Sequence, residues 1–283
     1  MVCARIADAR GNPRGGRPRT DKRKALAGIF WLLDNGAKWK DLPRRFGSKS
    51  AVHQAFQRWG RESVFERLLQ EAGQLVEERG EYRLYECFPD AAFCPARGGG
   101  DGIGRTKVGK GVKILIAVDA RGLPIAVQSC SARPHESTLA QGWFDFMLTK
   151  EAPERVVGEK AWESDALDRA FAARGMELMA PHRSSRRPEN RTQDGRSLRR
   201  YRRRWVVERT VARLLHFRRL CVRWEKSSRA FEGYLQMACA FLPVGQVPGL
   251  AGKRALLAIL LMHCAVSAAG RRGRFVRVGR SQP

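Results

Sequence analysis

Hydrophobic periodicity changes character once along this chain, near Gly80, and that change constrains the fold more than any other feature. Before it, apolar residues recur at helical spacing. In DKRKALAGIFWLLDN, from Asp21 to Asn35, positions Ala25, Leu26, Ile29, Phe30, Leu32 and Leu33 recur at that spacing. Gly36 is placed to end that helix. A short helix is expected over 39–46, a third over AVHQAFQRWG behind Ser48 or Ser50, and a fourth over 62–78. Short helices with basic faces and tight connections make either a helix-turn-helix-like module or a plain bundle, and both readings stand. After Gly80 the apolar runs shorten to strand length and fill with β-branched and aromatic residues: YRLYECF, GVKILIAVDA and LPIAVQSCS. The RG between the second and third predicts a tight hairpin. A helix follows near Ser137, then a strand in RVVGEK and a helix in SDALDRAFAARG between Ser164 and Gly175. A strand in MELMAP and a long helix from Arg200 to Leu220 complete the series. Three strands, helix, strand, helix, strand, helix is a mixed α/β layer arrangement.

Charge narrows the function. The chain has 283 residues, enough for one large domain or two smaller ones. Its 43% hydrophobic content excludes disorder by composition. A formal net charge of +26 and a pI near 11.0 call for a polyanionic partner, DNA or RNA first. The bland alternative is a generally sticky basic protein. Residues 181–230 hold 17 Arg and Lys against 4 Asp and Glu, a net +13 and half of the total. The seven cysteines are scattered, with no CxxC pair and no Cys/His cluster at metal spacing. That argues against a zinc finger or disulfide scaffold and for a reducing compartment. The first residues, MVCARIADARGNPRGG, lack the apolar core of a signal peptide. The apolar run ALLAILLMHCAVSAAG, 255–270, falls short of the roughly 20 residues a membrane span needs and carries His263. A buried or interfacial helix, or a non-native tail, is expected there.

The long basic segment RYRRRWVVERTVARLLHFRRL contains a single carboxylate, Glu208. Two more acids stand at expected strand ends, Asp90 in FPDAAF and Glu159 in VVGEKAW. In a twisted mixed sheet the first and fourth strands can be neighbours, and a following helix can pack beside both, so the three acids can converge. Paired Mg²⁺ ions, roughly 3.5–4 Å apart, need such hard oxygen ligands, and the chemistry they serve is phosphodiester cleavage and rejoining. Tyr201, Arg204 and Glu208 fall at i, i+3 and i+7, on one helix face. On this reading Glu208 ligates metal while Tyr201 and the arginines hold a DNA phosphate. The competing reading makes each acid a turn residue or an ion-pair partner, with Glu208 relieving arginine repulsion through Arg204. GGGDGIGRTKVGKG, with Lys107 and Lys110, lacks GxxxxGK[ST] and is expected as a flexible basic loop near the DNA. His135-Glu136 is read as a helix entry rather than a catalytic or DNA-contacting pair. Trp205, Trp224 and Phe217 are expected in the core, with base stacking as the alternative.

These residues resemble bacterial insertion-sequence transposases of the IS-five family, of DDE type with an RNase H-like fold. Four stretches carry the resemblance across about residues 16–242: GRPRTDKRKALAGIFWLLDNGAKWKDLP; DAAFCPARGGGDGIGRTKVGKGVKILIAVDARGLPIAV with SARPHESTLA; VVGEKAWESDALD; and TQDGRSLRRYRRRWVVERTVARLLHFRRLCVRWE. The resemblance implies an RNase H-like mixed sheet flanked by helices, preceded by a small all-α helix-turn-helix-like domain. It implies a basic arm over 1–20, a helical DNA-binding domain over 21–80, a catalytic domain over 81–242 and an atypical tail over 243–283. Asp90, Glu159 and Glu208 become the acid triad holding Mg²⁺ (or Mn²⁺). Tyr201, Arg204 and Glu208 match the family's Tyr–two–Arg–three–Glu signature. Lys107, Lys110, Arg203 and Arg204 become phosphate contacts. The implied partners are double-stranded DNA, as terminal inverted repeats and target, and further copies of the chain. The implied place is the bacterial cytoplasm, with no membrane.

Four departures stand out. The second acid, normally Asp, is Glu159, one methylene longer, and Mg²⁺ demands near-ideal octahedral geometry. Asp165 is a nearby substitute, or an N-terminal helix residue. Leu215 stands where a basic residue is common. Residues 1–12 do not resemble the family's opening helix, nor does the chain beyond Phe241. A working transposase and a non-catalytic DNA-binding remnant both fit, and a structural RNA-binding protein is the third reading.

Overall fold

Local chemistry sets the first helix in the computed structural model, which describes residues 20–182, 184, 186–187 and 197–244. The Asp21 carboxylate accepts from the amides of Arg23 (2.7 Å) and Lys24 (3.3 Å), and opens α1 (Lys22–Asn35). Gly36, at φ 66°, closes it by donating to the Leu32 carbonyl. The expected helix over 39–46 is instead two 3₁₀ turns, Trp39–Asp41 and Arg44–Phe46. Pro43 lies between them and cannot donate to a continuing helix. The Ser48 hydroxyl accepts from the Ala51 amide and caps α2 (Lys49–Arg61); α3 (Val64–Glu78) follows.

Six strands form one mixed sheet: β1 (Cys87–Pro95), β2 (Gly104–Thr106), β3 (Gly109–Asp119), β4 (Pro124–Ser131), β5 (Arg155–Val157) and β6 (Glu177–Met179). The order is β2-β3-β1-β5-β6, with β4 also paired to β3. β3 meets β1, β2 and β4 antiparallel, whereas β5 meets β1 and β6 parallel. The β3–β4 hairpin turns at Arg121-Gly122, where the buried Asp119 carboxylate accepts from the amides of Arg121 (3.0 Å) and Leu123 (2.7 Å).

The helices α4 (Glu136–Trp143), α5 (Asp165–Ala172), α6 (Trp205–Leu215), α7 (Arg218–Cys221) and α8 (Ser228–Val244) complete the chain. Alternation along β3 sends Ile114, Ile116 and Val118 to one face and Leu115 and Ala117 to the other. The first face shares a core with α1–α3, α6 and α8; the second packs on Trp143, Trp162 and Phe171.

Three local expectations need correction. The first strand begins at Cys87, not near Tyr82, because Cys87 pairs with Asp119, the last residue before the hairpin. Asp90 is therefore the fourth of nine strand residues rather than a strand end. The long basic helix is broken into a 3₁₀ segment (Ser197–Arg204), α6 and α7. The glycine-rich segment contributes a strand, β2. The arm over 1–19 and the apolar run over 255–270 lie outside the described residues. Among the described residues no helix is long and apolar enough to cross a membrane.

Candidate active site

Parallel pairing of β1 with β5, Cys87 beside Val156, brings the strand carrying Asp90 next to the one that leads into Glu159. Glu159 sits two residues past β5 in extended backbone (φ −80°, ψ 172°), just before a 3₁₀ turn. Between the two acids lies Arg204, only 4% exposed. Its Nη1 donates to the carbonyls of Pro89 (3.0 Å) and Val157 (3.2 Å), one from each strand region. Its Nη2 donates to Glu159 Oε1 at 2.9 Å and lies 3.4 Å from Asp90 Oδ1. One guanidinium thus gathers four acceptors and eases the repulsion of two like charges, offsetting one of them.

Arg204 ends the 3₁₀ segment and sits at the start of α6. Glu208 is one turn further on, in the first turn of α6, and exposed. It forms no hydrogen bond or ion pair among the described residues. An ion pair with Arg204 therefore does not account for it: Arg204 bonds the sheet acids instead. Tyr201 packs its ring beneath the Arg204 guanidinium, 5.7 Å from centroid to Cζ. Arg203 and Arg200 turn to buried Glu86, at 2.5 and 3.0 Å. A hydrogen bond to Tyr85 raises the Arg203 pKa, and Glu86 adds to it. Lys107 and Lys110 are exposed, in the β2–β3 turn and at the start of β3. Asp165 is the first residue of α5 and pairs with Arg186 at 2.9 Å.

Sequence reasoning missed Glu86 as an anchor and Arg204 as the bridge between acids. Neither is signalled by spacing, because both depend on which strand ends become neighbours. It also placed Trp205 and Trp224 in the core; both are 53% exposed, whereas Phe217 is buried.

The family's metal can be tested on these donors. Asp90 and Glu159 offer hard carboxylate oxygens within reach of one nitrogen, a donor set suited to Mg²⁺ or Mn²⁺. The guanidinium holds the space between them. Among the described residues no group of three or more His, Cys, Asp or Glu side chains is gathered as a metal site. The donor chemistry fits, with Glu208 standing one helical turn from the pair.

A mixed sheet covered by helices on both faces, with one acid on β1 and another just past the parallel β5, is an RNase H-like fold of the transposase class. The "piggyBac transposase synaptic complex with hairpin DNA" shares it, with a TM-score of 0.52 and 13% identity, covering 94% of this chain and 76% of that one. The chain belongs to the family described as "Transposase DDE domain", matched over residues 90–242. Residues 3–69 match "Putative transposase of IS4/5 family", a match that begins ahead of the GRPR stretch. A "Putative transposase for insertion sequence element IS402" from Burkholderia cepacia is 31% identical over 140 residues, 47% of this chain and 62% of the relative. "Uncharacterized protein y4sN" from Sinorhizobium fredii is 37% identical over 60 residues, 21% of this chain and 48% of that protein. The matches thus span less than two thirds of either curated relative's length.

Proposed function

We propose that the chain is a DNA transposase that binds the terminal inverted repeats of its element, nicks the ends and joins the freed 3′-hydroxyl to target DNA. One observation carries this most: two carboxylates from neighbouring strands meet at one buried guanidinium, and a third, Glu208, opens the adjoining helix. Asp90, Glu159 and Glu208 would hold Mg²⁺ or Mn²⁺. A divalent cation there supplies activation of the attacking oxygen and stabilisation of the leaving one.

The chain's own residues do the rest. Exposed Arg202 and Arg209 flank Glu208 in sequence and offer charge to a phosphate. Lys107 and Lys110 extend that positive surface. Arg204 holds Asp90 and Glu159 together, and Arg203, anchored on Glu86, fixes the turn that leads into α6. Residues 21–80 would read the repeat, and 81–242 would carry the chemistry. Joining two ends calls for more than one copy, and chromosomal DNA places the work in the bacterial cytoplasm.

Duplex DNA from each flank of the gene, incubated with the protein and Mg²⁺, tests the reading. Nicks at the element ends that vanish with chelator support it. Ends that are bound but never cut support the second reading, a DNA-binding remnant. That reading draws on Arg204, which already pairs with both sheet acids.

A further inference from the structure

Trp224 is exposed, yet the backbone that carries it is tightly held. The Arg97 amide donates to the Arg223 carbonyl and the Asp101 amide to the Lys226 carbonyl, each at 3.0 Å. The Ser228 amide and hydroxyl donate to the Asp101 carboxylate, at 2.6 and 2.8 Å. The fully buried Arg223 guanidinium donates to the Asp101 carbonyl (2.7 Å) and the Glu225 carbonyl (2.9 Å). Gly98 and Gly100 press so closely on this segment that an added Cβ would stand 2.3 Å from the Trp224 oxygen and 1.9 Å from the Lys226 oxygen. The glycine-rich stretch is therefore a clamp, and it presents a large aromatic ring to solvent from a fixed frame.

That ring borders a cavity of about 520 Å³, within the range of ligand pockets. Half-buried Trp39 lines the same cavity, its ring 4.6 Å from His53 and 5.6 Å from Phe56. Arg61, Lys226 and Arg229 are exposed around it, and none of the three forms an ion pair among the described residues. The acid in the lining, Glu225, is buried and paired with Arg219 at 2.7 Å, so it does not offset them. Gln57 adds an amide.

Aromatic faces inside a cationic rim suit a ligand that is flat and anionic. The rim repels the chain's own basic arm and tail. A paired base cannot enter, since its faces are stacked within the duplex. We propose that this cavity takes an unpaired base of a DNA strand, stacked on Trp224 and Trp39, with the flanking phosphates held by Arg61, Lys226 and Arg229. This rests on the reading of the chain as DNA-acting, and it uses none of the three acids.

The test is fluorescence anisotropy with the full chain, comparing octathymidylate with an abasic eight-unit strand of equal charge at one salt concentration. Octathymidylate is expected to bind about tenfold more tightly, because its bases add stacking to an equal backbone charge. Trp224→Ala should erase that preference while leaving abasic-strand affinity unchanged, and Trp224→Phe should retain most of it. Equal affinity for the two strands in the natural chain, or a preference intact in Trp224→Ala, would overturn the proposal. A chain that cuts duplex ends but shows no base preference sinks the pocket alone. A chain that cuts nothing but prefers bases through Trp224 sinks the transposase reading and leaves the pocket standing.

Discussion

At the residue scale, Arg204 joins two of the three acids of the proposed site. It is buried, and its removal takes one donor from each of two carboxylates and two carbonyls. Arg204→Ala should cost about 3 kcal/mol in urea unfolding, at the low end for a broken buried pair because Glu159 keeps contact with water. Arg204→Lys should recover little, since one ammonium cannot reproduce the planar fork. A loss below about 0.5 kcal/mol would show that the bridge is not structural. Glu232 gives a pH signature. Its carboxylate, partly buried, accepts from the Ser129 amide at 2.9 Å and from the Ser129 hydroxyl. Burial outweighs those bonds and pushes its pKa from 4.5 up to about 7, with Glu66 adding to the rise. The folded state then holds this proton more tightly than the unfolded chain. Its contribution is full below pH 4.5 and is lost as pH rises through about 7. Glu232→Gln should flatten that decline and gain about 3 kcal/mol at pH 8 relative to its effect at pH 4, read by denaturant titration.

At the element scale, the β1–β3 pairing decides where Asp90 lies, and Gly111 is its tightest point. A Cβ at Gly111 would stand 2.4 Å from the Cys94 carbonyl and 2.6 Å from the Phe93 ring. Gly111→Ala should therefore cost about 2–3 kcal/mol through strain at the strand pair. Unchanged thermal stability would mean that the strands part there at no cost. The sequence made some of these elements legible and hid others. Asp21, Gly36 and Ser48 are capping residues with local effects, so α1 and α2 could be bounded from the chain alone. The hairpin at Arg121-Gly122 and the nearness of the first and fourth expected strands were legible too, from turn chemistry and layer logic. The start of β1 was not, because it is set by the far partner Asp119 rather than by propensity. Nor was the break in the basic helix. Its 3.6-residue pattern continues through Arg204, but Arg203 and Arg204 bond to Glu86, Asp90 and Glu159, which lie far away in sequence. The candidate acids could be named from the chain; the arginine between them could not be given that place. Trp224 was misplaced for the same reason, since a glycine-rich clamp distant in sequence holds it outward.

At the scale of the whole molecule, a net +26 sets how the proposed DNA substrate would be met. Phosphate neutralisation releases counterions, so duplex affinity should fall steeply with salt. If the basic surface makes 6–10 phosphate contacts, affinity should drop about 10³–10⁵-fold between 50 and 200 mM salt, measured by anisotropy. A salt-insensitive affinity would contradict an electrostatic docking surface. The fold distributes that charge unevenly in role: Arg200, Arg203, Arg204, Arg219 and Arg223 pair with acids of the chain, whereas Arg202, Arg209, Arg61 and Arg229 are exposed and form no ion pair among the described residues. The central claim is that Asp90, Glu159 and Glu208 act together on DNA. Mg²⁺-dependent nicking of the element's own ends, compared between the natural chain and Glu208→Gln, tests it most directly. The account predicts cleavage by the natural chain and a loss of at least about a hundredfold in the variant, with duplex affinity and unfolding midpoint unchanged. Equal cleavage by the two proteins would contradict it.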